Sequence, residues 1–196
     1  EINLSDLEFS QDSKKILLKT ELNGNERYFL LNMDNNPPSL LSLDFLKEPF
    51  DEIQFNPENS QKLLLLRKGR LSEADPNQKT VSPPFLKDVV SFQIFKGDIY
   101  YLDSSGFLFK TDFSFGRGEK LNEISLPTEK SIHYQIYVFP EKVFVQQGYN
   151  LFLFNPELKS FERFFETKKE PELSPDRKKL AYFSDYEVWI LYLEQE

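Results

Sequence analysis

Apolar residues along this chain fall in short runs broken by clusters of Gly, Pro, Asn, Asp and Ser, with no long stripe at helical spacing. Such runs predict β-strands joined by turns. The clearest are Lys15-Ile16-Leu17-Leu18, Lys62-Leu63-Leu64-Leu65, Asp98-Ile99-Tyr100-Tyr101, Lys142-Val143-Phe144-Val145 and Lys179-Leu180-Ala181-Tyr182. These runs place apolar side chains on both faces, so a sheet built on them must be covered on both sides. After them come the hairpin signals Asn23-Gly24, Lys68-Gly69, Ser105-Gly106, Gln147-Gly148 and Asp185-Tyr186, four of which carry the Gly that a tight turn favours.

A further strand follows each hairpin and ends on an acid or amide. These strands are Arg27–Asp34, Arg70–Asp75, Phe107–Asp112, Asn150–Asn155 and Val188–Glu194, whose ends run from 34 to 194 in four steps of about 40 residues. A shorter strand with a polar centre precedes each doubly apolar run: Leu7-Glu8-Phe9, Ile53-Gln54-Phe55, Phe92-Gln93-Ile94, Tyr134-Gln135-Ile136 and Pro171-Glu172-Leu173.

Four strands recurring at this period predict an all-β propeller of about five four-stranded antiparallel blades. The blades span residues 5–44, 50–88, 89–126, 131–167 and 170–196 of a single domain. Candidate fourth strands are Leu40–Leu43, Val81–Leu86, Lys120–Ile124 and Phe161–Phe165; the last blade has none of its own. We expect residues 1–4 to supply it, with Ile2-Asn3-Leu4 pairing beside Val188–Leu193 and closing the ring, because an unclosed seam leaves backbone groups unpaired. The competing arrangement makes the chain part of a larger ring. No helix beyond a single turn is expected.

The 20 Phe residues and an aromatic content of 15% strengthen the β reading. A formal charge of −8 argues against nucleic acid and anionic membrane as partners, as no block rich in Lys and Arg stands out. No run approaches the roughly 18 apolar residues needed to insert in a bilayer. The missing initiating Met reads as processing or excision of a segment. The chain has no Cys and one His, His133, so neither thiolate chemistry nor a multi-histidine metal site is expected, nor any cofactor.

Ser174-Pro175-Asp176-Arg177-Lys178-Lys179-Leu180-Ala181-Tyr182, followed by Glu187-Val188-Trp189-Ile190-Leu191-Tyr192-Leu193, resembles the WD40-like repeat of TolB-type propellers. Ser10-Gln11-Asp12-Ser13-Lys14-Lys15-Ile16 and Asn56-Pro57-Glu58 are weaker copies. The run is also similar to propeller regions of bacterial surface proteins that carry PEGA-type domains. The resemblance implies an interaction scaffold, usually outside the cytoplasm, with no catalytic motif to carry over.

Glu8, Gln54, Gln93, Gln135 and Glu172 recur at one strand position and would ring one end of a central channel. They could hold a cation or a small polyhydroxylated ligand, or simply line a water-filled channel. Asp6, Asp51, Glu52, Asp88 and Glu172 raise a glycosidase reading, since paired carboxylates are what that chemistry needs. Phe113, Phe115 and Arg117 form an aromatic loop suited either to a protein contact or to capping the blade edge. Asp103-Ser104-Ser105-Gly106 and Asp34-Asn35-Asn36 read as turns rather than calcium loops, and His133 as structural or solvated. Trp189 is expected to pack between blades. The leading function is a non-enzymatic scaffold presenting loops or its channel mouth to a protein partner; the alternative is a carbohydrate-binding or glycoside-processing propeller.

Overall fold

Two-residue turns set the local topology. Lys68 and Gly69 take φ of 47° and 72°, and Lys96 and Gly97 take 51° and 82°, the turn whose twist matches a right-handed strand pair. Chains that reverse so tightly make antiparallel neighbours. All strand pairs among the described residues are antiparallel.

The computed structural model describes residues 2–10, 12–22, 24–113, 118–128, 132–167, 169, 171–174, 178–184 and 187–192. It forms two units, Glu1–Lys87 and Asp88–Glu196. In the first, β1 (Ile2–Phe9), β2 (Lys15–Leu22), β3 (Asn25–Asn32) and β4 (Ser39–Ser42) make one sheet in sequence order. A second sheet holds β5 (Glu52–Phe55), β6 (Leu63–Arg67), β7 (Arg70–Asp75), β8 (Thr80–Val81) and β9 (Leu86–Lys87), with β8 and β9 both on β7.

The second unit has three sheets. They are β10 (Val89–Phe95), β11 (Asp98–Asp103), β12 (Leu108–Thr111) and β13 (Glu119–Lys120); β14 (Tyr134–Val138), β15 (Val143–Gln147), β16 (Asn150–Asn155) and β17 (Ser160–Glu166); and β18 (Glu172–Leu173), β19 (Lys179–Ser184) and β20 (Glu187–Tyr192).

Sheets pack face to face within each unit. Leu17, Tyr28 and Leu30 of the first sheet meet Phe55, Leu63, Leu65 and Ala74 of the second, with Leu43 and Leu46 of the connecting segment filling the gap. In the second unit Leu102 and Leu108 pack on Tyr134, Ile136 and Val145, while Tyr137, Phe144 and Leu151 pack on Leu180. Full burial of each such Leu contributes about 1.5–3 kcal/mol. β6 and β15 are buried on both faces, as doubly apolar runs require.

The Ser-x-Asp signature has a structural explanation. Ser10 Oγ accepts from Lys15 N at 2.9 Å, and Ser10 N donates to Lys15 O at 2.9 Å, so the side chain and backbone of one residue clamp the turn from β1 to β2. Ser174 makes the same pair of bonds with Lys179, both at 2.9 Å. Asn56 plays the equivalent part in the second sheet, with its N donating to Lys62 O at 2.9 Å and its Oδ1 accepting from Glu58 N at 2.9 Å. Asp103 Oδ1 accepts from the amides of Ser105 and Phe107, both at 2.9 Å, which makes that segment a hydrogen-bonded turn.

Several expectations need correction. Residues 2–4, expected beside Val188–Leu193, extend β1 among the described residues and pair with β2, Ile2 opposite Leu22 and Leu4 opposite Thr20. The reason is length: β2 runs on to Leu22, and its eight residues offer ladder positions that residues 2–4 take up. The fifth sheet accordingly has three strands among the described residues. The expected strand Val81–Leu86 is broken in two around Pro83 and Pro84, which cannot donate to a ladder. In place of a strand through Lys120–Ile124, only Glu119–Lys120 pairs, because buried Asn122 takes over the backbone beyond it.

Trp189 is 50% exposed and is not core. It shares a sheet face with Leu191, which lies opposite Leu180, but is itself paired with Tyr182 on the outermost described strand of that sheet. The other face of that sheet leaves Val188, Ile190 and Tyr192 exposed, and the first sheet likewise leaves Leu7, Phe9 and Leu40 exposed.

Candidate functional site

The polar positions of the first strands are related by register. Glu8 lies opposite Leu17, Gln54 opposite Leu64, Gln93 opposite Tyr100 and Glu172 opposite Ala181. Each partner is two residues past the residue that opens the doubly apolar run. Gln135 breaks the series, because it lies opposite Gln146, and Tyr137 takes the matching place opposite Phe144. The turn explains the slip. Phe139 N donates to Lys142 O at 2.8 Å across a turn shorter than Ser10 to Lys15, so strand β14 continues two residues further.

Most of these side chains are engaged locally. Glu8 Oε1 accepts from Phe55 N at 3.3 Å, joining the first two sheets, and Gln54 Nε2 donates to Glu52 Oε1 at 2.5 Å. Gln93 Nε2 lies 3.5 Å from Ile94 O. The Tyr137 hydroxyl lies 2.8 Å from Gln146 Oε1, 3.1 Å from Gln135 Oε1 and 3.0 Å from Pro171 O, a buried polar junction between the fourth and fifth sheets. The Glu172 side chain lies outside the described residues. The Glu8 and Tyr137 contacts fasten sheet to sheet, whereas those of Gln54 and Gln93 stay within their own strands.

Among the described residues no group of three His, Asp or Glu converges as a metal centre requires. Asp6 accepts from Leu7 N at 2.8 Å and Asp51 from Lys68 N at 2.6 Å, so both carboxylates cap nearby backbone. His133 is exposed, and its carbonyl accepts from Gly148 N at 3.0 Å. Phe113 is half-buried, whereas Phe115 and Arg117 lie outside the described residues.

A cavity of about 550 Å³ opens in the first unit instead. Phe45, Leu46, Phe50 and Leu65 give it an apolar floor with the Ser72 hydroxyl, Val81 and Pro84 form one wall, and Lys47, Glu48, Arg67, Lys68 and Arg70 line the remainder. The floor is preformed. Leu43 N donates to Tyr28 O at 2.9 Å, and Asp51 N to Leu66 O at 2.9 Å, pinning both ends of the connecting segment. Between them Phe50 meets the Tyr28 ring edge-on at 5.9 Å and donates its N–H to the Tyr28 hydroxyl at 3.3 Å. That hydroxyl donates to Glu26 Oε2 at 2.6 Å, and its ionisation is pushed well above the ordinary range by burial and then by the Glu26 carboxylate.

The rim is set by the Lys68-Gly69 hairpin, which places Arg67 directly opposite Arg70 and Lys68 at the tip. Arg67 pairs with Glu48. Among the described residues no carboxylate forms an ion pair with Lys47, Lys68 or Arg70. Sequence reading missed this cluster. The signal was present as Arg67-Lys68-Gly69-Arg70, a short basic run in an acidic chain, but its Gly drew attention to the turn instead of to the charges.

No protein-family model matches the chain, and no curated protein matches it. Solved structures do. A chain of the S. cerevisiae complex of a dbp5 variant bound to nup159, a gle1 variant, ip6 and adp aligns with a TM-score of 0.59 at 14% identity, over 95% of this chain and 61% of that one. The N-terminal domain of Nup159 aligns with a TM-score of 0.53 at 14% identity, again over 95% and 61%. At that identity the likeness shows the fold alone, a propeller-like set of antiparallel sheets. The chain spans about three fifths of the length of these structures.

Proposed function

We propose that this chain is a non-enzymatic propeller scaffold, its five sheets serving as blades, and that it holds a protein partner at the cavity between the first two. The observation that carries this reading is the cavity: a preformed apolar floor beneath uncompensated cations, the make-up of a recognition site. The resemblance to TolB-type repeats favours the same role. Carbohydrate processing finds less support, because Asp6 and Asp51 are spent on backbone amides.

The test is site-specific photocrosslinking. A photoreactive side chain at Val81, on the cavity wall, should trap a protein whose cross-linked peptide is identified by mass spectrometry; the same group at Ile124, exposed in the second unit, should not. A glycan array and a hydrolase panel run in parallel should stay blank. Saturable glycan binding or turnover of a glycoside would refute the scaffold reading.

A further inference from the structure

We propose that the cavity of the first unit accepts a short extended acidic segment of a protein, seating one aromatic or large aliphatic side chain on the Phe45, Phe50 and Leu65 floor while flanking carboxylates meet Lys47, Lys68 and Arg70. This deepens the scaffold reading and rests on it. Three observations support it.

Charge comes first. Four cations line the cavity with one carboxylate, Glu48, in a chain whose formal charge is −8. The hairpin also sets Arg67 against Arg70, and like charges directly opposed across a strand pair are destabilising. Glu48 relieves Arg67 only. The Asp51 carboxylate is turned to the Lys68 backbone at 2.6 Å, which holds the turn tip without an ion pair to the Lys68 ammonium. An anion arriving at the rim would gain the attraction that the resident side chains leave unused.

Size and polarity come second. A cavity of about 550 Å³ holds one large side chain with part of its own backbone, whereas a bare inorganic anion would leave the Phe45 and Leu65 floor wet. The ligand must therefore be amphipathic, apolar at its centre and acidic at its ends.

The cavity wall settles the binding mode. Pro83 and Pro84 interrupt the outer strand between Val81 and Leu86, and proline has no N–H to donate, so strand addition is blocked along this edge. Recognition then rests on side chains, which makes it dependent on salt and on rim charge.

The experiment is fluorescence anisotropy with the full chain and a labelled peptide, Glu-Asp-Glu-Phe-Glu-Asp-Glu. Saturable binding is expected, weakened at least about tenfold when the peptide Phe is replaced by Ser and again in the variant Lys68→Glu plus Arg70→Glu. Both rim residues are solvent-facing and Arg70→Glu places an opposite charge across from Arg67, so circular dichroism should match the parent and the melting temperature should not fall. A single Lys47→Glu variant, on a different segment, should weaken binding in the same direction. Equal binding of a Lys-for-Glu peptide, preference for a single-stranded oligonucleotide, or no binding at millimolar peptide would each overturn the inference. If Val81 photocrosslinking still traps a protein while acidic peptides fail, the scaffold survives and the acidic segment does not; if both fail, the scaffold reading falls as well.

Discussion

Replacing Gly24 or Gly106 with Ala should have very different costs, although both glycines close hairpins at the same place in the repeat. Gly24 has φ +74°, and an added Cβ would meet nothing within 4 Å. Its cost is that of holding Ala in the left-handed region, about 1–2 kcal/mol. Gly106 has φ +82°, but here the added Cβ would fall 1.7 Å from the carbonyl oxygen of Leu126 and 2.7 Å from its carbonyl carbon. Backbone cannot rotate aside as a side chain can.

Relief at Gly106 requires the segment around Leu126 to retreat, and the structure shows what that breaks. Leu126 N donates to Gly106 O at 2.9 Å, a bond worth about 1 kcal/mol. Leu126 is 3% exposed and packs with Leu102 and Leu108, so displacing it adds about 1–3 kcal/mol of lost packing. Asn122 is fully buried and binds the same region, its Nδ2 donating to Gly106 O at 3.2 Å and its Oδ1 accepting from Leu108 N at 2.6 Å. With the left-handed backbone, the loss is on the order of 4 kcal/mol, a large share of a domain's usual 5–15 kcal/mol. Urea unfolding followed by far-ultraviolet circular dichroism measures both variants. A Gly106→Ala unfolding free energy within about 1 kcal/mol of that of Gly24→Ala would refute the reasoning.

Trp189→Ala should cost only about 1–2 kcal/mol in the same assay, against about 2–5 for fully buried Leu180→Ala, and the fluorescence of this single Trp should be readily quenched by acrylamide. Asp12 is held below its ordinary value of 3.8 chiefly by the Ser10 hydroxyl and then by the Lys14 amide, with lesser help from the Ser60 hydroxyl and the Lys14 charge, while burial opposes them. A depressed carboxyl stabilises the fold above 3.8 and loses that contribution as pH falls through its folded value, so acid titrations of stability should be shallower below pH 3.8 in Asp12→Asn than in the parent. Ser91 Oγ is buried without a hydrogen-bond partner among the described residues, and Ser91→Ala should raise stability by about 1 kcal/mol; a drop of that size would mean the hydroxyl is satisfied.

The strands were legible because their signals are local. β7 and β16 begin and end where the sequence reading places them, and β11 begins at the expected Asp98, since alternation, turn glycines and terminal acids all act over a few residues. Register was less so. Gln135 resembled Glu8 in its neighbours, but a shorter turn moved Tyr137 into the matching position, and a strand's register depends on the residue opposite it.

The chain by itself determined that it would fold as repeated antiparallel sheets with apolar faces needing cover, because period and hydrophobicity are properties of neighbouring residues. Tertiary structure alone decided which faces were covered, which strand the first residues joined, and that Phe45, Leu65 and Arg70 would share one cavity. Those outcomes depend on contacts between segments far apart in the chain, where the loss of entropy on bringing them together is set against burial available only after they meet.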